Sequence, residues 1–183
     1  MNNKIILIIV FFVLLLPVLN VKAYDINTCK KKDKSTNYRA VLVGIEHYLD
    51  SEHDLSTPLE DVDDIEDVLS LGSNNYIIRK ITDSQATKQN ILNRIDWLES
   101  NACEDDVSIF YYSGHGNNQL KTNNAAREGY DTSDEYLIPY DFDEDTYGNI
   151  YNFIRDDDFA DKILNIKGKV IVILDCCKSA GFA

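Results

Sequence analysis

Apolar runs alternate along the chain with segments whose apolar residues recur at helical spacing. The runs are residues 39–45, 76–81, 107–112 and 170–174. The segments with helical spacing are residues 59–69, 87–98 and 156–164. Short, nearly continuous apolar runs are typical of strands buried on both faces of a parallel sheet, whereas the second pattern predicts amphipathic helices. The predicted order is therefore strand, helix, strand, helix, strand, long polar segment, helix, strand.

This alternation predicts an α/β fold in which helices cover both faces of a parallel sheet. Residues 116–150 are polar and acidic, apart from a short apolar piece at 136–140, and are predicted to form a long loop. In open sheets of this kind, active sites lie beyond the carboxyl ends of the strands. We therefore expect catalytic residues among those that directly follow the predicted strands.

The amino-terminal residues have the pattern of a secretory signal peptide. A short polar start precedes an unbroken apolar run at 5–16, and Ala23 ends the segment at a small-residue cleavage site. The run is shorter than the roughly 20 residues that a spanning helix needs. We expect a secreted or endomembrane-lumenal protein without a stable membrane span after cleavage, the alternative being an uncleaved type II anchor. The predicted divisions are a signal peptide at 1–23, a polar lead-in at 24–37 and one domain at 38–183.

The amino-acid composition limits the classes of partner that this domain is expected to bind. Lys and Arg number 18 against 31 Asp and Glu, which gives a formal net charge of −13. So acidic a chain is a poor candidate for binding nucleic acid or an anionic membrane. Its four cysteines are too few for a disulfide-built scaffold. The predicted oxidising compartment nevertheless motivates one hypothesis, a disulfide between Cys29 and Cys103.

Reactive groups follow the third and fourth predicted strands. The third is followed by Ser-Gly-His115-Gly116, and the fourth by Asp-Cys176-Cys177. If these strands are neighbours, His115 and one of the cysteines face each other, as a thiol nucleophile and its imidazole partner must. The backbone N–H groups of Gly116 and of the nucleophile could then form an oxyanion hole.

Two other interpretations stay open at this point. A histidine at a strand end is often structural, and adjacent cysteines can be inert or oxidised. Zinc binding is less favoured, because the chain has no Cys-x-x-Cys pair and no second histidine near either motif. His47 and His53 lie in the first polar loop, where we expect them to be solvated.

Several blocks of the chain, in order, resemble the caspase-like cysteine peptidases of the metacaspase branch. Tyr-Ser-Gly-His115-Gly and Asp-Cys-Cys177-Lys-Ser resemble the two catalytic signatures of that family. The supporting blocks are residues 39–45, 87–92, 134–141 and 154–159. The resemblance implies an endopeptidase with a three-layer α-β-α sandwich and a mostly parallel sheet. It also implies that the sheet continues after Ala183, so that C-terminal strands are missing from this chain and the domain at 38–183 is incomplete.

The resemblance assigns the nucleophile and the base. The family places its nucleophile two residues after the Asp that ends the fourth strand, which is Cys177, and its base is His115. Such a dyad implies that the imidazole deprotonates the thiol and later protonates the leaving amine, without a third side chain or an organic cofactor. Cys176 is expected to pack as a small apolar group. A Cys176–Cys177 disulfide, if formed, would switch the activity off.

Members of this family cleave after Arg or Lys, which requires an acidic pocket. By resemblance, Asp61 and Asp175 form its acidic walls and Ser113 lines it. Two close carboxylates repel one another unless a cation arrives, which favours a guanidinium or ammonium group. The alternative for Asp61 is an ordinary acid at a helix N-terminus, and the neighbouring Glu60 is expected to stay on the surface.

The resemblance also implies a calcium site. Its ligands would be Asp134, Asp156 and Asp157, because clustered carboxylates suit a hard cation. The alternative is that the acids at 156–158 cap and solvate a helix.

Together these patterns predict a metacaspase-like cysteine endopeptidase that acts on protein or peptide substrates with basic residues. The alternative is a catalytically inactive caspase-like fragment or interaction module. In that case a second polypeptide completes the sheet beside the fourth predicted strand.

Overall fold

The computed structural model describes residues 35–120 and 133–177, and only the backbone of residues 119, 120, 133 and 134. The predicted signal peptide, its cleavage site and most of the polar lead-in lie outside the described residues. In the part of the chain that the structure describes, no helix is long and apolar enough to cross a membrane.

Four parallel strands form the central sheet, and their positions confirm the four predicted strands. In chain order, the strands are β1 (Tyr38–Gly44), β2 (Tyr76–Thr82), β3 (Val107–Ser113), β4 (Gly116–Leu120), β5 (Ser133–Leu137), β6 (Asp143–Glu144), β7 (Ile150–Tyr151), β8 (Ile154–Arg155) and β9 (Lys169–Asp175). The helices are α1 (Pro58–Leu71), α2 (Lys88–Asn101) and α3 (Asp156–Leu164). The central sheet has the order β2-β1-β3-β9, and every neighbouring pair is parallel.

Helices cover both faces of this sheet, which confirms the predicted α/β sandwich. Side chains alternate between the two faces along each strand. On one face, Leu42 and Ile109 pack with Val62 of α1. On the other face, Val41 and Phe110 belong to a larger cluster that includes residues of α2 and α3. The helical members of that cluster are Ile91, Ile95, Leu98 and Phe159. Burial on both sides explains the continuous apolar runs of β1 and β3.

Local sequence signals account for where the helices begin. Pro58 occupies the first turn of α1, where the missing N–H of proline costs nothing. The Thr87 hydroxyl accepts the N–H of Asn90 at 3.3 Å and caps α2. The first turn of α3 carries three aspartates, whose charge interacts favourably with the positive end of the helix dipole.

The predicted loop at 116–150 is wrong in part, because it contains strands. β4, β5 and β8 form a three-stranded sheet with antiparallel pairs, and β6 and β7 form a two-stranded antiparallel pair. These strands are two to five residues long and mostly polar. They therefore lack the hydrophobic periodicity from which strands are predicted. Their pairing places the segment that follows His115 beside residues 137 and 138.

A buried carboxylate holds the amino-terminal edge of the central sheet. Asp106 is 1% exposed, and its Oδ2 lies 2.8 Å from Nη1 of Arg39. It also accepts the backbone N–H groups of Asn37 at 2.9 Å and Cys103 at 3.0 Å. Gly168, just before β9, has a φ of +81°, and a Cβ there would lie 2.5 Å from the Asp106 carbonyl oxygen. The starts of β1, β3 and β9 thus meet around one residue.

The cysteines divide into bonded and free ones. Cys103 is disulfide-bonded, whereas Cys176 and Cys177 are free thiols. The partner predicted for Cys103 is Cys29, which lies outside the described residues. The Cys176–Cys177 disulfide considered from the sequence is not formed in this structure.

Candidate active site

The carboxyl ends of β3 and β9 lie side by side. Their register pairs Ser113 with Asp175, the last residues of the two strands. His115 and Cys177 each follow two residues later. The N–H of Gly114 donates to the Asp175 carbonyl at 3.2 Å, so the two chains stay together beyond their last pair. The structure brings the predicted base and nucleophile to one corner of the sheet.

Gly116 packs directly against the cysteine segment. A Cβ at Gly116 would lie 2.4 Å from the carbonyl oxygen of Cys177 and 3.0 Å from Sγ of Cys176. The first distance is shorter than a Cβ atom tolerates, so the position requires glycine. This contact joins the chain that follows β3 to the chain that follows β9.

The imidazole of His115 is oriented by a main-chain atom. Its Nε2 lies 2.8 Å from the carbonyl oxygen of His53. A carbonyl oxygen only accepts hydrogen bonds, so Nε2 carries the proton and Nδ1 has the lone pair in the neutral ring. The His53 side chain itself is 64% exposed, in agreement with the predicted solvation. The sequence carries no signal for this contact, because every residue has a carbonyl group.

Two aspartates fix the loop that carries His53. Oδ1 of Asp83 accepts the backbone N–H groups of residues 46 and 47 at 2.9 and 3.0 Å. Oδ1 of Asp54 accepts the N–H of Tyr48 at 2.9 Å. That hydrogen bond is the main reason why the pKa of Asp54 is lowered from its usual value. The two carboxylates thus anchor residues 46–48, the start of the loop that carries the His53 carbonyl.

The two adjacent cysteines have different environments. Cys176 packs against the larger apolar cluster, as predicted for a small apolar residue, and burial raises the pKa of its thiol to about 11. Cys177 is exposed. Cys177 is therefore the more accessible of the two thiols, because Cys176 is half-buried. The residues after it lie outside the described part of the chain.

The three predicted pocket residues lie close together. The hydroxyl of Ser113 donates to Oδ2 of Asp61 at 2.9 Å. Asp175 is the register partner of Ser113 on the neighbouring strand β9. Burial raises the pKa of Tyr111, and the charges of Asp61 and Asp175 raise it further. No pattern in the sequence distinguishes Tyr111 from the other residues of the apolar run that forms β3. Glu60 is exposed, as expected.

The predicted calcium ligands flank the start of α3. Asp156 and Asp157 are in its first turn, and Oδ1 of Asp156 accepts the N–H of Asp157 at 2.9 Å. Asp134 is on β5, which pairs with β8 immediately before the helix. The Asp134 side chain lies outside the described part. Within that part, no three His, Cys, Asp or Glu side chains are grouped so that they could hold a metal ion.

Comparisons with known proteins place the chain in a family. Residues 38–183 match the model described as metacaspase, peptidase C14 domain. Metacaspase-1 of Lodderomyces elongisporus is 34% identical over 167 residues, which are 85% of this chain and 35% of that protein. Metacaspase-1 of Candida albicans is 34% identical over 130 residues, 66% of this chain and 28% of that protein. Metacaspase-1 of Plasmodium falciparum is 29% identical over 155 residues, 77% and 24% respectively.

A crystal structure supports the fold alone. A protein of Geobacter sulfurreducens matches with a TM-score of 0.58 at 17% identity, covering 77% of this chain and 50% of that chain. Three layers around a parallel sheet, with a histidine and a cysteine beyond two neighbouring strands, define a caspase-like domain. The chain belongs to the metacaspase family of C14 cysteine peptidases. It spans 24–35% of the length of these curated relatives.

Proposed function

We propose that this chain is the catalytic part of a cysteine endopeptidase that cleaves protein or peptide substrates after Arg or Lys. The observation that carries the proposal is the position of His115 and Cys177 beyond the paired ends of β3 and β9. Membership in the metacaspase family supports the class of reaction. The acidic side chains near the same strand ends support the preference for a basic residue.

In the proposed reaction, His115 acts first as a general base and then as a general acid. The His53 carbonyl binds the Nε2 proton, which leaves the Nδ1 lone pair to accept the proton of the Cys177 thiol. The thiolate attacks the carbonyl carbon of the scissile bond and forms a C–S bond. The imidazolium then protonates the amine as the C–N bond breaks. Water hydrolyses the resulting thioester and restores the thiol.

The backbone N–H groups of Gly116 and Cys177 are proposed to stabilise the oxyanion. The N–H of Ile138 donates to the His115 carbonyl at 3.1 Å, which makes this a hydrogen-bonded position between the two chain segments. Hydrogen-bonded and non-bonded positions alternate along an antiparallel ladder, so the next N–H, that of Gly116, points away from β5. It is then directed to the side on which a substrate carbonyl would lie.

Asp61, Ser113 and Asp175 are proposed to bind the basic side chain of the substrate. The hydrogen bond from Ser113 orients the carboxylate of Asp61. A guanidinium or ammonium group between the two carboxylates relieves their repulsion and forms charge-assisted hydrogen bonds. The same geometry disfavours an acidic side chain, because it adds a third negative charge.

Calcium is proposed to bind at Asp134, Asp156 and Asp157. β5 pairs with β8 so that Tyr136 faces Arg155, which brings the backbone near residue 134 toward the start of α3. Carboxylate oxygens are the ligands that calcium prefers, and bound calcium would neutralise this acidic turn. Calorimetric titration of the protein with CaCl₂ should show binding that Asp156→Asn weakens and Asp143→Asn leaves unchanged. No heat of binding at millimolar calcium would contradict the site.

We also propose that the protein is secreted or resides in the lumen of the endomembrane system. The amino-terminal pattern supports this location, and so does the disulfide bond of Cys103, because disulfides persist in oxidising compartments. Amino-terminal sequencing of the mature protein should begin at Tyr24. An intact amino terminus in a membrane fraction would instead indicate the type II anchor.

The decisive experiment is cleavage of fluorogenic peptides ending in Arg, Lys or Asp, by reduced protein with and without calcium. Cys177→Ala should abolish cleavage, and Cys176→Ala is the matched control that retains it. Cleavage after Asp would contradict the pocket assignment. Absence of all cleavage by folded protein would contradict the enzymatic proposal for this chain.

The second candidate is a non-catalytic interaction module, which one observation favours. Among the described residues, β9 is an edge strand, and its Val172 and Ile173 are 37% and 40% exposed. An exposed apolar edge can pair with an added strand, here one from a second polypeptide. Folded protein without peptidase activity that forms a stoichiometric complex, lost on Val172→Lys, would support this function.

A further inference from the structure

Two tyrosines enclose the backbone of His115. The N–H of His115 donates to the Tyr48 hydroxyl at 2.7 Å. The Tyr112 hydroxyl lies 2.8 Å from the carbonyl oxygens of both His115 and Ile138, which share its one proton. The Tyr48 ring also lies against the imidazole, with ring centroids 5.0 Å apart. Both backbone polar groups of His115, as well as its side chain, are therefore contacted by phenols.

Both phenols lie inside the protein. Tyr112 is 0% and Tyr48 is 8% exposed. A buried hydroxyl costs free energy unless it is hydrogen-bonded. If Tyr48 and Tyr112 served only to fill space, phenylalanine would therefore fit both positions without that cost. A Cβ at Gly114 would lie 2.9 Å from each of the two hydroxyl oxygens. The turn between β3 and His115 is thus packed closely around the hydroxyls.

The position of His115 explains why side-chain partners are needed there. β3 ends at Ser113, so the N–H of His115 no longer has a partner in the parallel ladder. Tyr48 supplies the acceptor, and its own N–H is held by Asp54 at 2.9 Å. Tyr48 belongs to the loop that also supplies the His53 carbonyl. One loop therefore contacts both the ring and the backbone of the proposed base.

We propose that Tyr48 is a positioning residue for His115, assisted by Tyr112. The two hydroxyls hold the backbone of His115 so that Nε2 meets the His53 carbonyl and Nδ1 is presented to Cys177. The consequence for turnover rests on the proposed peptidase function. The consequence for the reactivity of the Cys177 thiol requires only that His115 and Cys177 interact.

The test compares Tyr48→Phe with Tyr38→Phe in the full chain. Tyr38 is the first residue of β1, so it lies at the amino-terminal ends of the strands, away from His115. Tyr38→Phe is therefore a matched phenol-to-phenyl control. The rate of Cys177 alkylation by iodoacetamide is measured against pH by peptide mapping. Tyr48→Phe should lower this rate several-fold near neutral pH and move the profile toward that of an isolated thiol. With an Arg-ending peptide, kcat should fall about tenfold while KM changes little, as expected for one lost hydrogen bond that orients a catalytic group.

A wild-type alkylation profile in folded Tyr48→Phe would overturn the proposal, even if the melting temperature falls. If the protein has no peptidase activity, the alkylation profile alone decides, so failure of the proposed function is distinguishable from failure of the positioning role. If Tyr48→Phe does not fold, Tyr112→Phe takes its place, because it removes the hydroxyl that binds the His115 carbonyl. An unchanged profile in that variant would equally contradict the proposal.

Discussion

Nε2 of His115 lies 2.8 Å from the carbonyl oxygen of His53, although the two residues are 62 positions apart in the chain. The acceptor belongs to the main chain, so this hydrogen bond is available whichever side chain residue 53 carries, although the two imidazole rings also lie edge to face with centroids 6.4 Å apart. The hydrogen bond depends on the loop that positions the carbonyl, and that loop is held by Asp54 and Asp83.

Replacement of His53 by alanine should therefore leave peptidase activity within about twofold of wild type, since the carbonyl is retained. Asp54→Ala should lower kcat more strongly, because it removes the acceptor of the Tyr48 N–H. Turnover of an Arg-ending peptide by the two variants measures the difference. A larger loss for His53→Ala than for Asp54→Ala would show that the side chain matters instead.

If Asp61 contacts the basic side chain of the substrate, substitution of Asp61 should lower activity far more than substitution of the adjacent Glu60. Asp61→Asn should lower kcat/KM for Arg-ending peptides by about 10- to 100-fold, the range expected for a lost hydrogen bond to a charged group. Glu60→Gln is the control, because it removes an exposed carboxylate from the next position on the same helix. Equal effects of the two substitutions would indicate long-range electrostatics rather than direct contact with the substrate.

Gly116→Ala should displace the nucleophile segment. The added Cβ would lie 2.4 Å from the Cys177 carbonyl oxygen, so the chain after β3 or the chain after β9 must move. We expect loss of most activity and a changed alkylation rate of Cys177. Gly72→Ala is the matched control, because its Cβ would meet no atom nearer than 3.6 Å. Full activity in Gly116→Ala would contradict the proposed oxyanion role of this segment.

The two free cysteines should react in a defined order. Burial raises the pKa of Cys176 to about 11, so at pH 8 iodoacetamide should modify Cys177 well before Cys176. A raised pKa in the folded protein contributes stability that is fully present below the unfolded thiol value of about 8.5. That contribution is lost as pH rises through about 11. Time-resolved peptide mapping checks the order, and unfolding in urea between pH 8 and 11 checks the loss, which Cys176→Ala should reduce.

Asp106→Ala should destabilise the fold without changing any residue of the candidate active site at the carboxyl ends of β3 and β9. It leaves the Arg39 guanidinium and two backbone N–H groups without their buried acceptor, which costs about 3–5 kcal/mol. Urea denaturation measures the change, and the exposed neighbour Asp105→Ala should stay within about 0.5 kcal/mol of wild type. A small effect of Asp106→Ala would mean that water replaces the carboxylate at this edge.

Strands and helices with a clear hydrophobic pattern could be predicted from the sequence, and those without such a pattern could not. β1 and β3 are buried on both faces, so nearly every position must be apolar and the run is visible in the sequence. β4 to β8 are short, polar and partly exposed, so their pairing leaves no such mark and residues 116–150 are predicted as a loop.

The sequence by itself determined the alternating α/β order and placed His115 and Cys177 beyond the ends of two strands. It could do so because burial selects apolar side chains and nucleophilic chemistry requires particular side chains. Only the tertiary structure decided that β3 and β9 are neighbours, that the His53 carbonyl orients the imidazole and that Tyr48 and Tyr112 enclose the His115 backbone. These contacts join distant segments through backbone atoms and through tyrosines that resemble ordinary core residues, and such atoms carry no pattern along the chain.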